Sequence, residues 1–214
     1  MTQSDGDADM EKDFPKANWN QRYQTEDYLF GKAPNAFLER QTHLLKSGMR
    51  ALAIADGEGR NGVWLAEHGL NVLSVDFSDV ALAKALRLAD ERGVKLKTVN
   101  SDLATWDWAG APFDLIVSIF FHAGPMLRAK ILRDMQEHLA PRGLVLLEGY
   151  GLKQLEYRTG GPPTAENLYS AELLREAFAD FEVLSLKEYD AVIEEGTAHK
   201  GLSALVDFVA RKPA

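Results

Sequence analysis

Met49-Arg50-Ala51-Leu52-Ala53-Ile54-Ala55-Asp56-Gly57-Glu58-Gly59-Arg60-Asn61-Gly62 is the stretch on which the reading of this chain turns. Its first half, Met49 to Ala55, is a short apolar run ended by Asp56-Gly57, the mark of a buried strand. Its second half satisfies G-x-G-x-x-G and passes into a predicted helix, Arg60 to His68, that Gly69 stops. Small residues at such a turn let the backbone approach a ligand, and the helix start offers unpaired N–H groups to an anion. Asp76 stands nineteen residues beyond Gly57. It ends a second predicted strand, Asn71 to Asp76, where a carboxylate accepts both hydroxyls of a ribose.

Outward from this unit the alternation continues. Ser78 suits an N-cap for a helix that runs to Arg92 and ends at Gly93. Strands are predicted at Lys95 to Asn100, Phe113 to Phe120 and Gly143 to Tyr150. Between the last two, Leu127, Ile131, Met135 and Leu139 form one apolar helical stripe. Upstream, Asn18 to Tyr23 and Pro34 to Lys46 read as helices. Beyond Tyr150 come a loop, Leu152 to Leu168, a helix, Ala171 to Phe178, and two strands, Glu182 to Ile193 and Gly201 to Arg211, joined as an edge hairpin. The fold class is therefore α/β: a Rossmann-like doubly wound sheet, mostly parallel, with a C-terminal antiparallel hairpin strand. The expected organisation is a disordered acidic tail (1–16) and one domain (17–214). The domain divides into N-terminal cap helices (17–48), a cofactor-binding core (49–150), a substrate-lid loop (151–169) and a helix with the terminal hairpin (170–214).

Composition narrows the function. Against 32 Asp and Glu stand 24 Lys and Arg, a net charge of −8 that repels polyphosphate and speaks against nucleic acid. No cysteine is present, which excludes disulfides, thiolate nucleophiles and Cys-held metals. Histidines at 43, 68, 122, 138 and 199 show no metal-ligand spacing, so no metal is expected. No apolar run reaches the ~18 residues of a membrane helix, and the acidic N-terminus has no signal-peptide core. A cytoplasmic protein without membrane or nucleic-acid partners, monomeric or homodimeric, is expected.

Two acids decide between nucleotides. Asp56 precedes the first glycine, where a pyrophosphate would meet a negative charge, and Asn100-Ser101-Asp102-Leu103 puts another acid at the same rim. Asp102 there can accept from an adenine amine while Leu103 packs on the ring. Glycines, a ribose carboxylate and an adenine acceptor describe one adenosine without a pyrophosphate.

At this point the chain resembles the class I S-adenosylmethionine-dependent methyltransferases, over about Asn18 to Pro213. The likeness rests on the order of Leu52 to Gly59, Val75-Asp76-Phe77-Ser78, Ser101-Asp102-Leu103, Phe113 to Val117 and Leu139 to Leu144. Within that class it is most similar to the tellurite-resistance and thiopurine-type small-molecule enzymes. The residues behind this are Trp19 to Tyr23, Phe30 to Leu38, Gly57 to Asn61, Thr159-Gly160-Gly161-Pro162 and Glu194 to Gly201. The resemblance implies S-adenosylmethionine as cofactor, S-adenosylhomocysteine as product, and a small thiol or chalcogen-oxyanion acceptor. It departs at the first strand, where Ala53 replaces an acid that could bond the methionine amino group and Ala55 replaces a glycine.

The expected cofactor shell comprises Ala55, Asp56, Gly57, Glu58, Gly59, Arg60 and Asn61 from the first turn and helix, then Asp76, Phe77 and Ser78, then Asp102 and Leu103. Ile119 and Phe120 would lie where cofactor meets acceptor, and Tyr28 and Phe30 would be aromatic walls near the sulfonium. His122 is the expected proton acceptor, and Tyr157, Arg158 and His199 are expected to touch the acceptor. Two other readings stay open: a noncatalytic adenosyl-ligand-binding protein, motivated by Ala53, and a nicotinamide-dependent reductase, motivated by the glycine pattern.

Overall fold

The computed structural model describes residues 17–108, 110 and 112–214, so the expected tail lies outside the described residues. Two short helices lead in, α1 (Ala17–Tyr23) and α2 (Ala36–Arg40). The longer helix predicted from Pro34 to Lys46 does not form as one piece. The Asn35 side chain caps α2 by accepting the Leu38 N–H at 3.0 Å, and after Arg40 the chain tightens into a 3-10 turn, Thr42–Leu44.

The core then alternates: β1 (Arg50–Ile54), α3 (Arg60–Glu67), β2 (Asn71–Asp76), α4 (Asp79–Arg92), β3 (Lys97–Asn100), β4 (Phe113–Ile119), α5 (Pro125–Glu137) and β5 (Leu139–Tyr150). A one-turn helix α6 (Gln154–Tyr157), α7 (Ala171–Ala177), β6 (Glu182–Glu195) and β7 (His199–Arg211) complete it. Helix α4 has the predicted ends: Ser78 accepts the Ala81 N–H, and Gly93 closes the helix at a φ of 68°. Leu139 leaves the predicted α5 stripe. It pairs with Phe113 as the first residue of β5, and a register shift follows before Leu115 meets Leu144.

All seven strands form one sheet in the order β3-β2-β1-β4-β5-β7-β6. Strands β1 to β5 pair in parallel, while β7 runs antiparallel to both β5 and β6. The last strand is thus inserted between its hairpin partner and the parallel core. Period-two alternation gives each face its own core. Leu52, Ile54 and Ile116 join α5 and α7 side chains on one face, whereas Ala51, Leu115 and Val117 meet α3 and α4 on the other. From β1 the chain winds out to β3, then returns to β4 on the opposite side. The carboxyl ends of β1 and β4 therefore frame the switch point, where open α/β sheets bind ligands.

Candidate active site

A cavity of about 280 Å³ opens at that switch point. Ala55, Asp56, Gly57, Arg60 and Asn61 line it from the β1–α3 connection, Asp76 and Phe77 from the end of β2, and Asp102 and Leu103 from beyond β3. Ile119 and Phe120 line it from the end of β4. Ala55 and Phe120 both hold left-handed backbone, with φ of 47° and 53°. Such conformations cost non-glycine residues about 1–3 kcal/mol each and persist where surrounding structure imposes them. Here they bend two adjacent central strands away from the sheet at the same rim.

The turn glycines answer to protein contacts. A Cβ on Gly59 would stand 2.4 Å from the Ala85 Cβ of α4, and one on Gly62 would stand 2.4 Å from Asp56 Oδ2. Gly62 lets the Asp56 carboxylate close on the start of α3, where it accepts the Gly62 N–H at 3.2 Å and the Ser74 hydroxyl at 2.9 Å. Burial lifts the Asp56 carboxyl to about 7, against the pull of those two donors. The helix start that would cradle a pyrophosphate is already capped by a protein carboxyl group.

Asp76 is oriented by backbone. Its Oδ2 accepts the Gly57 N–H and its Oδ1 the Ser78 N–H, both at 2.9 Å. The Phe77 N–H acts on the same carboxylate, so three backbone donors meet about four lone-pair sites and part of its acceptor capacity stays open. Burial raises its pKa, and the backbone donors oppose this. Asp102 accepts the Ala104 N–H at 3.0 Å.

The cover comes from the two ends of the domain. Trp19 and Tyr23, stacked at 5.4 Å, and Phe30 line the cavity from the N-terminal arm, and His199 lines it from the tip of the β6–β7 hairpin. The His199 ring lies 4.3 Å from both Phe30 and Phe120. A buried ion pair, Lys84 Nζ to Glu58 Oε1 at 2.5 Å, ties the turn to α4, and both partners hold the arm. Glu58 Oε2 accepts the Leu29 N–H, and Lys84 also donates to the Asp27 carbonyl, both at 2.7 Å. The tip docks on the same arm through N–H donors of Thr197 and Ala198 to the Leu29 carbonyl. Behind it, Glu195 Oε2 meets Arg60 Nη2 at 2.6 Å and stands 3.7 Å from His199 Nδ1.

Several expected site residues lie elsewhere. Glu58 and Ser78 sit behind the cavity, Glu58 in its ion pair and Ser78 as the cap of α4. Gly59 packs on α4, and the Tyr28 hydroxyl donates to the Lys84 carbonyl. His122 does not line the cavity. Its Nε2 accepts the Tyr150 N–H at 3.1 Å, which leaves Nδ1–H to donate to the Asn167 carbonyl at 2.9 Å. Burial pushes its pKa down to about 4, so it is a neutral structural ring with both nitrogens taken. No residue of 151–169 lines the cavity. Thr159 is tied to the Leu202 carbonyl, Arg128 holds the Glu166 and Leu168 carbonyls, and Tyr157 donates to Asp190. That segment, with Arg158 ending α6, packs over β7 instead. Trp19, Tyr23, Ala104, Thr105, Phe121 and Leu127 line the cavity without having been anticipated. The four-residue spacing of Trp19 and Tyr23 on one helix face is the signal that could have found that pair.

Residues 51–143 match the family model described as "Methyltransferase domain". Hemagglutinin 1 of Eikenella corrodens is 28% identical over 143 residues, 65% of this chain and 46% of that protein. Glycine/sarcosine N-methyltransferase of Halorhodospira halochloris is 32% identical over 111 residues, 48% of this chain and 40% of that one. The chain spans less than half the length of these curated relatives. Among solved structures, TehB from Haemophilus influenzae superposes with a TM-score of 0.69 at 19% identity, covering 91% of this chain and 65% of that one. The N-methyltransferase NodS from Bradyrhizobium japonicum WM9, in complex with S-adenosyl-L-homocysteine, gives 0.68 at 14% identity over 92% of this chain and 98% of that one. Residues 51–143 are thus similar to a methyltransferase domain, and the chain shares the fold of TehB and NodS.

Proposed function

We propose that this chain transfers a methyl group from S-adenosylmethionine to a small thiol or chalcogen-type acceptor in the cytoplasm. The observation that carries the reading is the charge layout of the cavity. A carboxylate with free lone pairs stands at the end of β2, a second acid and Leu103 lie beyond β3, and Asp56 closes the anion site of α3. These residues suit an adenosyl group, and Asp56 on the Gly62 N–H disfavours a pyrophosphate at the start of α3. When bound, the cofactor supplies a methyl group already activated by a sulfonium.

The chain's own work is then alignment and exclusion of water. Asp76 would hold the ribose, Asp102 and Leu103 the adenine, and Arg60 and Asn61 the amino-acid end. Phe30 and Phe120 would face the sulfonium, whose positive charge their rings tolerate. The choice of a thiol or chalcogen acceptor rests on the resemblance carried by Trp19 to Tyr23, Phe30 to Leu38 and Glu194 to Gly201. With His122 engaged, His199 is the ring placed to take a proton from such an acceptor. Burial lowers its pKa from the usual value, and the Glu195 carboxylate partly offsets this, so the ring is neutral at pH 7.

Calorimetric titration with S-adenosylhomocysteine, and with NADH in parallel, tests the cofactor. Micromolar binding of the first and none of the second is expected; binding of NADH alone overturns the reading. The pH profile tests His199. Protonation disables the base, so turnover of a thiol should fall on the acid side of its lowered pKa and level off by pH 7. His199→Ala should remove that acid limb, and a profile unchanged in the variant would exclude the ring.

A further inference from the structure

We propose that Glu195, brought up behind Arg60 by the C-terminal hairpin, supplies the negative charge that lets the cofactor's α-ammonium sit beside that guanidinium, in place of the carboxylate that β1 lacks at Ala53. The inference rests on the cofactor reading above and assigns a residue of this chain to it.

An ammonium is met most strongly by an anionic group, and the acids lining the cavity have other work. Asp56 is taken by Ser74 and Gly62. Asp76 is held by Gly57 and Ser78 at the ribose position, and Asp102 stands beyond β3 on the adenine side. Ala53 is buried at 1% exposure inside β1 and presents only a methyl group. The amino-acid end is left with Arg60 and Asn61, and an unpaired guanidinium would repel an ammonium.

Glu195 changes that corner. Its Oε2 lies 2.6 Å from Arg60 Nη2, and its Oε1 accepts from Asn35 Nδ2 at 3.0 Å and from the Ala36 N–H at 3.3 Å. Both Arg60 and His199, the residues beside this carboxylate, line the cavity, so it stands directly behind the wall they form. Burial alone would raise its pKa, but His199 when protonated and Arg60 hold it down to about 2, so it is charged throughout the working range. A guanidinium backed by a carboxylate is the charge complement of an amino-acid zwitterion: Arg60 faces the ligand's carboxylate, and Glu195 behind it gives the corner the negative potential that the ammonium needs. The acid has moved from the first strand to the last hairpin, 142 positions along the chain from Ala53 (195 − 53).

Three ligands separate this from a purely structural latch: S-adenosylhomocysteine, its deaminated analogue, and 5′-methylthioadenosine, which lacks the whole amino-acid part. Calorimetry at pH 7.5 should find the wild type binding the deaminated analogue at least tenfold more weakly than S-adenosylhomocysteine. Glu195→Gln should lose about tenfold for S-adenosylhomocysteine while keeping wild-type affinity for the other two. Equal losses for all three ligands would make Glu195 a mere latch and overturn the proposal. So would a wild type that does not distinguish the deaminated analogue, a result that needs no variant to fold. If Glu195→Gln melts early, Glu195→Asp keeps the charge and should retain the preference for the ammonium; loss of that preference there also counts against the assignment. A wild type that binds methylthioadenosine without preferring S-adenosylhomocysteine sinks Glu195 alone. One that binds none of the three sinks the cofactor reading as well.

Discussion

Glu58→Ala is expected to lower the unfolding free energy by about 3–5 kcal/mol, the cost of stripping one partner from a buried ion pair. Glu58 and Lys84 are 3% and 2% exposed at the side chain, so bulk solvent does not reach the pair. The substitution strands the Lys84 ammonium and also the Leu29 N–H, which Glu58 Oε2 accepts. Against a usual total of about 5–15 kcal/mol, the loss is large. Urea denaturation reads it directly, and a shift below about 1 kcal/mol would mean that the pair is not buried in solution. Replacing both partners separates fold from function. Glu58→Leu with Lys84→Met removes the charges together, which is often neutral or stabilising. The double variant should therefore fold and recover most of the loss, short of what the unpaired Leu29 N–H and Asp27 carbonyl cost, yet its arm loses these ties to the glycine turn and α4, so affinity for S-adenosylhomocysteine should fall further than stability does.

That ion pair also marks where the sequence stopped being legible. Elements defined by neighbours in the chain were readable: β2 ends at Asp76, and α4 runs from the Ser78 cap to Gly93, because caps and left-handed glycines act within one turn. The strand ends lining the cavity were readable for the same reason, since alternation places them on one rim of a parallel sheet. What failed depended on distant partners. His122 looked like a free base at a strand end, but its partners Tyr150 and Asn167 arrive from 28 and 45 residues away. Glu58 looked like a loop residue facing the cofactor until Lys84, one helix later, turned it inward. The segment after Tyr150 had the glycines and length of a lid, yet hydrogen bonds to β7 and α5 hold it off the cavity. The covering role passed to Trp19, Tyr23, Phe30 and His199, of which local spacing marks Trp19 with Tyr23 but does not bring His199 to them.

Asp76→Ala should weaken S-adenosylhomocysteine binding by about 1–3 kcal/mol, a factor of roughly 5 to 150 in Kd, the scale of a lost charge-assisted hydrogen-bonding partner. The carboxylate is 6% exposed and fixed by the Gly57 and Ser78 N–H groups, so its remaining lone pairs are aimed before any ligand arrives. A ligand lacking the ribose 2′-hydroxyl provides the control. Wild-type protein should discriminate against it, and Asp76→Ala should not, because the acceptor that reads the hydroxyl is gone. The pH dependence has a definite sign. Burial raises the Asp76 pKa above the ordinary carboxylate value, and ribose hydroxyls donate to the ionised form. Affinity must then decline as pH falls through that raised value, earlier than an exposed aspartate would allow, and the decline should be smaller in the variant. Equal pH profiles in the two proteins would move the titration to Asp56, whose carboxyl burial holds at about 7 beside the same turn. Unchanged affinity in Asp76→Ala would remove the ribose from the end of β2, and with it the argument that places the adenine against Leu103.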